Sequence, residues 1–205
     1  MTELDYEVIA TGSTGNAVRI ANIMIDCGIP FKKLHDALYK VDTLLITHTH
    51  SDHINSSTYN HIRKEFPRIK TYGNSDVAYQ YKVNKIIGTR PIETKKAVIR
   101  PYEGVHDVPV TYFIIQFGDL NVFYATDTAE VENIDKLPLD YVFCESNYDE
   151  RKLKELGKQY KRKGYDPTLS SLRHLSTQRC KEFYFVNRRS KDSKLIELHM
   201  SRRFY

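Results

Sequence analysis

Three histidines and an aspartate stand within six positions of the sequence, in the stretch THTHSDHI that follows an apolar run. Neutral imidazole is the commonest metal-binding side chain, and carboxylates complement it. Because a strand directs alternate side chains to one side, His48 and His50 are predicted to point into one pocket. Asp52 and His53 follow where the chain bends and are predicted to reach a second point nearby. This spacing predicts a metal site, with two ions ~3.5–4 Å apart as in other two-metal centres.

Further side chains of the ligand types stand at the ends of other predicted strands. Polar groups that gather where strands stop are the usual components of an active site. A two-metal site needs more ligands than the first cluster offers, and His106, Asp127 and His199 have suitable types and positions. Glu145 and Asn147 also stand at the end of a predicted strand, LDYVFCE.

The elements that must position these residues are predicted from hydrophobic periodicity. Strands are predicted for ten β-rich runs: YEVIA (6–10), AVRIANIMID (17–26), VDTLLIT (41–47), IKTYG, KAVIRPY, TYFIIQFG, LNVFYAT, LDYVFCE, EFYFV and SKLIELHM. Helices are predicted for PFKKLHDALYK, for SSTYNHIRKEF, which Pro67 terminates, and for residues 149–161. Strands interleaved with helices favour a layered α/β architecture, and the length predicts a single domain over 1–205.

Composition limits the class of protein. Hydrophobic residues make up 40% and charged residues 28%, an ordinary balance for a soluble globular chain. No apolar run approaches the ~20 residues of a membrane span, and the first residues lack the pattern of a signal peptide. Three cysteines, odd in number and far apart, argue against a disulfide framework. We therefore expect a cytoplasmic protein without a membrane partner.

Charge is divided unevenly along the chain. Residues 151–205 carry 16 Lys and Arg against 5 Asp and Glu, a balance of +11, whereas residues 1–150 carry 15 against 21, a balance of −6. A basic segment suits a phosphate-bearing partner, although clusters such as KQYKRKG are equally typical of a solvated surface. Aromatic side chains of this segment would offer surfaces on which bases stack: Tyr160, Tyr165, Phe183, Tyr184 and Tyr205.

The motif THTHSDHI resembles the H-x-H-x-D-H signature of the metallo-β-lactamase superfamily. Supporting motifs follow in the family's order over nearly the whole chain: GVHD, ATDT, RHLS and LHMS. The stretches IATGSTGNAVRI, IDCGIPFKKL, ESNYD and RHLS are similar to the YycJ (WalJ) branch, and the ending LHMSRRFY resembles the last motif of tRNase Z. The resemblance implies an αββα sandwich, in which two mixed sheets are flanked by helices and metals lie at one edge between the sheets.

The resemblance also implies a role for each residue of these motifs. Seven side chains would bind two divalent ions: His48, His50 and His106 at one ion, Asp52, His53 and His199 at the other, and Asp127 as the bridge. Asp52 would also act in catalysis, and His174 of RHLS would face the scissile phosphate without binding metal. The ions are Zn²⁺ or Mn²⁺, since sites built from His and Asp accept both.

Two departures from the YycJ pattern leave the substrate open. Tyr148 stands where that branch has histidine, and the last motif ends in SRRFY rather than in an asparagine pair. Five residues are predicted to contact substrate: Ser13 and Asn16 of TGSTGN, then Asn147, Arg188 and Arg189. Backbone N–H groups of TGSTG are compatible with an anion cradle, but the stretch lacks the lysine of a Walker motif and equally fits a tight turn.

The leading interpretation is a binuclear metal-dependent phosphodiesterase, specifically a DNA exonuclease that acts on single-stranded or 5′ ends through a hydroxide bridging the metals. Its partner would be nucleic acid, in the first place DNA, or a nucleotide, and a homodimer is left open. The first alternative is a phosphodiesterase of cyclic or other small nucleotides. The second is a thioester or lactam hydrolase, although no cysteine stands at a ligand position as in thiol-ligated lactamases. A metal-stabilised DNA-binding module is the non-enzymatic alternative.

Overall fold

A computed structural model describes residues 3–131, 134, 138–160 and 171–205, with the side chains of 158–160 excepted. The chain divides into two compact units, Met1–Ile87 and Gly88–Tyr205. Each unit contains one six-stranded sheet in which parallel and antiparallel neighbours are combined. The prediction that residues 1–205 act as one domain stays a prediction.

The first unit carries its strands in sequence order across the sheet. Its elements are β1 (Tyr6–Ala10), β2 (Ala17–Ile20), β3 (Ile23–Ile25), α1 (Phe31–Leu38), β4 (Thr43–Ile46), α2 (Ser56–Glu65), β5 (Lys70–Gly73), α3 (Ser75–Tyr81) and β6 (Asn84–Lys85). Strands β1 to β3 are antiparallel neighbours, whereas β3 to β6 run parallel.

Local sequence explains the boundaries of these elements. The predicted strand 17–26 is two strands, because a turn at Ala21, with a left-handed φ of 50°, reverses the chain after β2. Helix α2 begins where the Asn55 side chain accepts the backbone N–H of Thr58. It ends before Pro67, as predicted, since a residue preceding proline disfavours helical backbone. Leu34 and Leu38 of α1 are buried in the core of this unit.

The second unit is built around two long antiparallel strands that the Gly118-Asp119 turn joins, as predicted. Its elements are β7 (Ile92–Glu93), β8 (Val98–Gly104), β9 (Val110–Phe117), β10 (Leu120–Ala125), β11 (Tyr141–Glu145), α4 (Glu150–Tyr160), α5 (Thr177–Asn187) and β12 (Lys194–Leu198). The strand order is β12-β11-β10-β9-β8-β7, with β10, β11 and β12 parallel.

The predicted strand EFYFV is wrong, because these residues lie within helix α5. The Ser176 side chain caps this helix by accepting a backbone N–H of its first turn. Cys180 and Tyr184, one turn apart, are buried on its inner face, whereas Phe185 and Val186 are 60% and 76% exposed. Packing on the helical period therefore overrides the β propensity of the aromatic run.

The predicted α/β class, with two mixed sheets flanked by helices, is confirmed. Among the described residues, no helix combines the length and the apolar character that crossing a bilayer requires.

Candidate metal centre

Polar residues of the first unit collect at one edge of its sheet. Strands β3 and β4 are parallel, so their carboxyl ends meet there, with Asp26 after β3 and Thr47 and His48 after β4. Strand β2 runs the other way, which places Asn16, just before its start, at the same edge. The sheet thus gathers residues that lie far apart in sequence.

His48 and His50 form one pair of potential ligands. Nε2 of His48 lies 3.1 Å from Nδ1 of His50. Two nitrogen ligands of a tetrahedral ion with bonds of ~2.0–2.1 Å would be about 3.3 Å apart. His48 is completely buried, and its Nδ1 lies 3.0 Å from the Thr47 hydroxyl, which fixes the ring. The two imidazoles therefore fit a common divalent ion.

A buried carboxylate, Asp26, orients the third histidine of the cluster. Its Oδ2 accepts from Nδ1–H of His53 at 2.7 Å, and its Oδ1 accepts the backbone N–H of Thr47 at 2.8 Å. Burial raises the pKa of Asp26, while contacts with His53 and Thr47 oppose the rise. With the proton on Nδ1, Nε2 of His53 carries the lone pair, which is the form of the ring that binds a metal ion. Sequence reasoning missed Asp26, although a polar residue at the end of IMID was a signal.

We expect Asp26→Asn to weaken metal binding by about 10–100-fold, the usual effect of losing a residue that orients a ligand. The amide keeps the shape but offers one acceptor oxygen, so its NH₂ group would face a donor of either Thr47 or His53. Titration of Zn²⁺ or Mn²⁺ against a competing chelator measures the change. Asp42→Asn, the same exchange before β4, is the matched control; equal losses in both variants would contradict this role of Asp26.

The loop from His48 to His53 is fastened to its neighbours through the backbone. The Asp52 carbonyl accepts the N–H of Asn16 at 2.7 Å, and the His53 carbonyl accepts that of Cys27 at 2.8 Å. A Cβ on Gly28 would lie 1.7 Å from the Asp52 carbonyl oxygen, so glycine is needed for this close approach. The ligand-type side chains therefore stand on a constrained loop.

The stretch TGSTGN forms a tight turn beside this loop. Gly15 N–H donates to the Gly12 carbonyl at 3.0 Å, and the Asn16 side chain accepts the Gly12 N–H at 2.9 Å. The Asn16 amide nitrogen lies 2.8 Å from Nε2 of His53 and 3.4 Å from Oδ2 of Asp52. Asn16 is thus brought to the ligand-type residues, whereas Ser13 is an exposed residue of the turn.

The second unit gathers its polar residues in the same manner. Strands β10, β11 and β12 are parallel, and β8 shares their direction because β9 is antiparallel to both β8 and β10. All four strands therefore end at one edge. The residues at or just beyond these ends are His106, Asp127, Glu145 and His199.

Glu145 is completely buried and holds two histidines. Its Oε1 lies 2.7 Å from Nδ1 of His174 and 3.1 Å from Nδ1 of His199. Its Oε2 accepts the backbone N–H groups of Thr128 and Leu175 at 3.0 and 3.3 Å. Sequence reasoning noted Glu145 at a strand end but assigned it no role; the structure makes it the residue that orients both rings.

Asp127 and His199 are presented by unusual backbone conformations. Their φ angles are 50° and 51°, in the left-handed region that non-glycine residues seldom adopt. Oδ1 of Asp127 lies 3.1 Å from Nδ1 of His199. Together with Glu145 and His174, these residues place one potential ligand atom each within 4.8 Å of one another. The donor set of this unit therefore also fits a divalent ion.

The buried carboxylates set the protonation of the histidines. Burial alone lowers the pKa of His174, but hydrogen bonds to Asp127 and Glu145 outweigh it and raise the pKa to about 10. Burial likewise opposes the charged form of His199, and the hydrogen bond to Glu145 with the charge of Asp127 raises its pKa above the ordinary value. Both rings are thereby held as hydrogen-bond donors to carboxylates.

His106 is tied to the segment that carries His174. Its Nδ1–H donates to the Arg173 carbonyl at 3.2 Å, and the two imidazoles meet edge to face at 5.4 Å. The Arg173 guanidinium in turn forms an ion pair with Asp107. Burial lowers the pKa of His106, which favours the neutral imidazole that binds metals.

The residues predicted to contact substrate from this unit have other partners. The Asn147 side-chain amide donates to the His199 carbonyl at 3.0 Å, so it steadies the backbone of that histidine. Arg189 is at the opposite edge of the sheet, where it binds Asp140 at 2.7 Å ahead of β11. Arg188 covers the ring of Phe185 at 4.8 Å. The structure does not bring either arginine to the Glu145 cluster.

The aromatic side chains of the basic segment differ in exposure. Tyr184 is buried, with its hydroxyl donating to the Ser193 carbonyl, and Phe183 packs on Phe123 at 4.4 Å. The prediction that Tyr184 offers a stacking surface is therefore wrong, whereas the prediction for Phe183, which is partly buried, stays a prediction. Tyr205 is 50% exposed. Two residues of that prediction lie outside the described part: Tyr165 and the side chain of Tyr160.

Three solved structures are similar to nearly the whole chain. The metallo-β-lactamase fold protein YhfI of Bacillus subtilis has a TM-score of 0.67 and 18% identity, covering 97% of this chain and 86% of that one. A diphosphatase of the PhnP family has a TM-score of 0.66 and 16% identity, covering 97% of this chain and 87% of that one. The short form of human tRNase Z has a TM-score of 0.64 and 14% identity, covering 97% of this chain and 93% of that one.

No family profile and no curated protein matches the sequence. Membership of the YycJ branch therefore stays a prediction. The architecture, two mixed sheets with their helices, is similar to that of solved structures over 97% of the chain. The resemblance drawn from THTHSDHI is confirmed at the level of architecture, and the chain has the metallo-β-lactamase fold.

Proposed function

We propose that the chain is a metal-dependent hydrolase with two divalent ions, Zn²⁺ or Mn²⁺. The proposed ligands are the residues that the order of the sequence motifs implies: His48, His50 and His106 for one ion, Asp52, His53 and His199 for the other, and Asp127 for both. In support, the imidazoles of each unit are held by buried or backbone partners in orientations that suit ligands. Bound divalent ions supply Lewis acidity, which activates water and neutralises charge on a phosphate.

The reaction proposed is hydrolysis of a phosphodiester. The observation that carries it is His174, whose Nδ1–H donates to the buried Glu145 at 2.7 Å while the ring remains 19% exposed. A ring fixed in this way can present its other N–H to a leaving oxygen or to charge on phosphate. Two of the similar structures support a phosphate substrate by their names, a diphosphatase and a tRNase Z.

The finer proposal is a DNA exonuclease that acts on single-stranded or 5′ ends in the cytoplasm. It rests on the +11 balance of residues 151–205 and on the similarity of RHLS to the YycJ branch. The alternative is cleavage of cyclic or other small nucleotides, which the likeness to a diphosphatase favours.

A parallel assay tests this proposal. Protein loaded with Mn²⁺ or Zn²⁺ is given end-labelled single-stranded DNA, RNA, a cyclic mononucleotide and a chromogenic β-lactam. We expect mononucleotides to be released from DNA, and expect this activity to disappear with chelator and in His48→Ala. Turnover of the cyclic mononucleotide alone would replace the exonuclease by the alternative. Turnover of the β-lactam alone would overturn the proposal that the chain hydrolyses phosphodiesters.

A further inference from the structure

A second polar feature of the first unit lies away from the ligand-type residues. It is a hollow with a volume of about 390 Å³. The hollow lies between α2, the segment leading into β5 and the segment leading into β6, and its lining includes Arg63, Lys70 and Lys82. This volume is in the range of small-molecule sites, ~300–1,000 Å³.

The charge of the hollow is of one sign. Arg63, Lys70 and Lys82 come from three separate elements, and no carboxylate is among the lining residues. All three side chains are positively charged, so an anion in the hollow would be attracted by each of them. This accumulation stands out in residues 1–150, whose balance is −6.

Other lining residues give the hollow a fixed form. The Arg63 guanidinium lies 5.9 Å from the centre of the Tyr59 ring, which steadies the cation over an aromatic face. Asn84 donates to the Thr71 carbonyl at 3.0 Å, which fastens the edge strand β6 to β5. Pro67, Ile69 and Val83 add an apolar surface to the cations.

The hollow stands at the amino ends of β5 and β6, since Lys70 and Asn84 are the first residues of these strands. The carboxyl ends of the parallel strands carry Thr47 and His48. Four residues of β5 at ~3.3 Å per residue separate the two edges by about 13 Å. The hollow is therefore distinct from the ligand-type residues of the same unit.

We propose that this hollow is a second anion site, which takes a phosphate group carried by a nucleotide. The cations hold the phosphate, and the apolar surface contacts the sugar or base. The source of the phosphate is either a free nucleotide or a strand of nucleic acid. The site does not depend on hydrolysis, so its test is independent of the proposed activity.

The test compares two variants that remove the same charge. Arg63→Gln/Lys70→Gln/Lys82→Gln empties the hollow of cations, whereas Lys32→Gln/Lys33→Gln/Lys64→Gln removes three exposed cations outside it. Lys64 is a close control, because it shares the last turn of α2 with Arg63. Binding of AMP is measured by calorimetry, and binding of a phosphorothioate single-stranded DNA by fluorescence anisotropy over a range of salt.

We expect the hollow variant to lose about tenfold or more in affinity, as expected for lost charge-assisted contacts, and the control variant to lose clearly less. Because the hollow takes one phosphate group, we expect the salt slope for DNA to fall by about 0.7, the value for one phosphate contact of a single strand. If the hollow variant binds both AMP and DNA more weakly, a free nucleotide is sufficient to occupy the site. If only the affinity for DNA falls, the site takes the phosphate of a nucleic-acid strand. Equal losses in both variants, or none in the hollow variant, would overturn the site.

Discussion

His174→Ala is expected to keep the metal content of the protein while its turnover of a phosphodiester falls by about 10²–10⁴-fold, the usual contribution of a positioned acid or base. The reason is the geometry around the ring. Glu145 fixes Nδ1–H at 2.7 Å, and in the proposed reaction the other nitrogen would face the substrate. Metal content and rate should be measured on the same preparation, so that loss of an ion is not mistaken for loss of an acid.

The leaving group and a second histidine provide the controls. A p-nitrophenyl phosphodiester, whose leaving group needs no proton, should partly rescue His174→Ala if His174 donates one. His199→Ala should lose metal together with activity and should not be rescued. Because Oδ1 of Asp127 lies 3.4 Å from Nδ1 of His174, a ligand role for His174 is the competing result. Loss of metal in His174→Ala would establish the ligand role and refute the role of His174 as a general acid.

Asp127→Ala is expected to reduce the metal content from about two equivalents per chain to well below one, and the turnover to background. One carboxylate that bridges two ions contributes to the affinity of both, so its removal should not leave one site intact. Elemental analysis of protein purified without chelator measures the content directly.

Asp119→Ala is the matched control for this experiment. Asp119 is an exposed carboxylate in the turn before β10, at the end of that strand opposite to Asp127. We expect its removal to leave both ions in place. A single tightly held ion that is unchanged in Asp127→Ala would show that the binuclear assignment is wrong.

The sequence predicts the ligand types better than it predicts the residues that orient them. The alternation in THTHSDHI predicts that His48 and His50 point into one pocket, and Nε2 of His48 indeed lies 3.1 Å from Nδ1 of His50. The orienting roles of Asp26 and Glu145 do not follow from the sequence, because each residue ends an apolar run in which periodicity registers only burial. Their function depends on contacts with Thr47 and His174, 21 and 29 positions away, which no local pattern contains.

The same limit explains the error in the fold. YEVIA and SSTYNHIRKEF become β1 and α2 as predicted, because their local signals agree with their surroundings. EFYFV has a local preference for strand, but the cap at Ser176 and the burial of Cys180 and Tyr184 are consistent only with a helix. Tertiary packing decides such a segment.

The left-handed backbone at Asp26, Asp127 and His199 sets stability against activity in this protein. Each such residue costs of order 1–3 kcal/mol, a cost that glycine largely avoids. Glycine at these three positions would relieve the backbone but remove the side chains. A search for variants of higher thermal tolerance should therefore hold these positions fixed while it changes the rest of the chain.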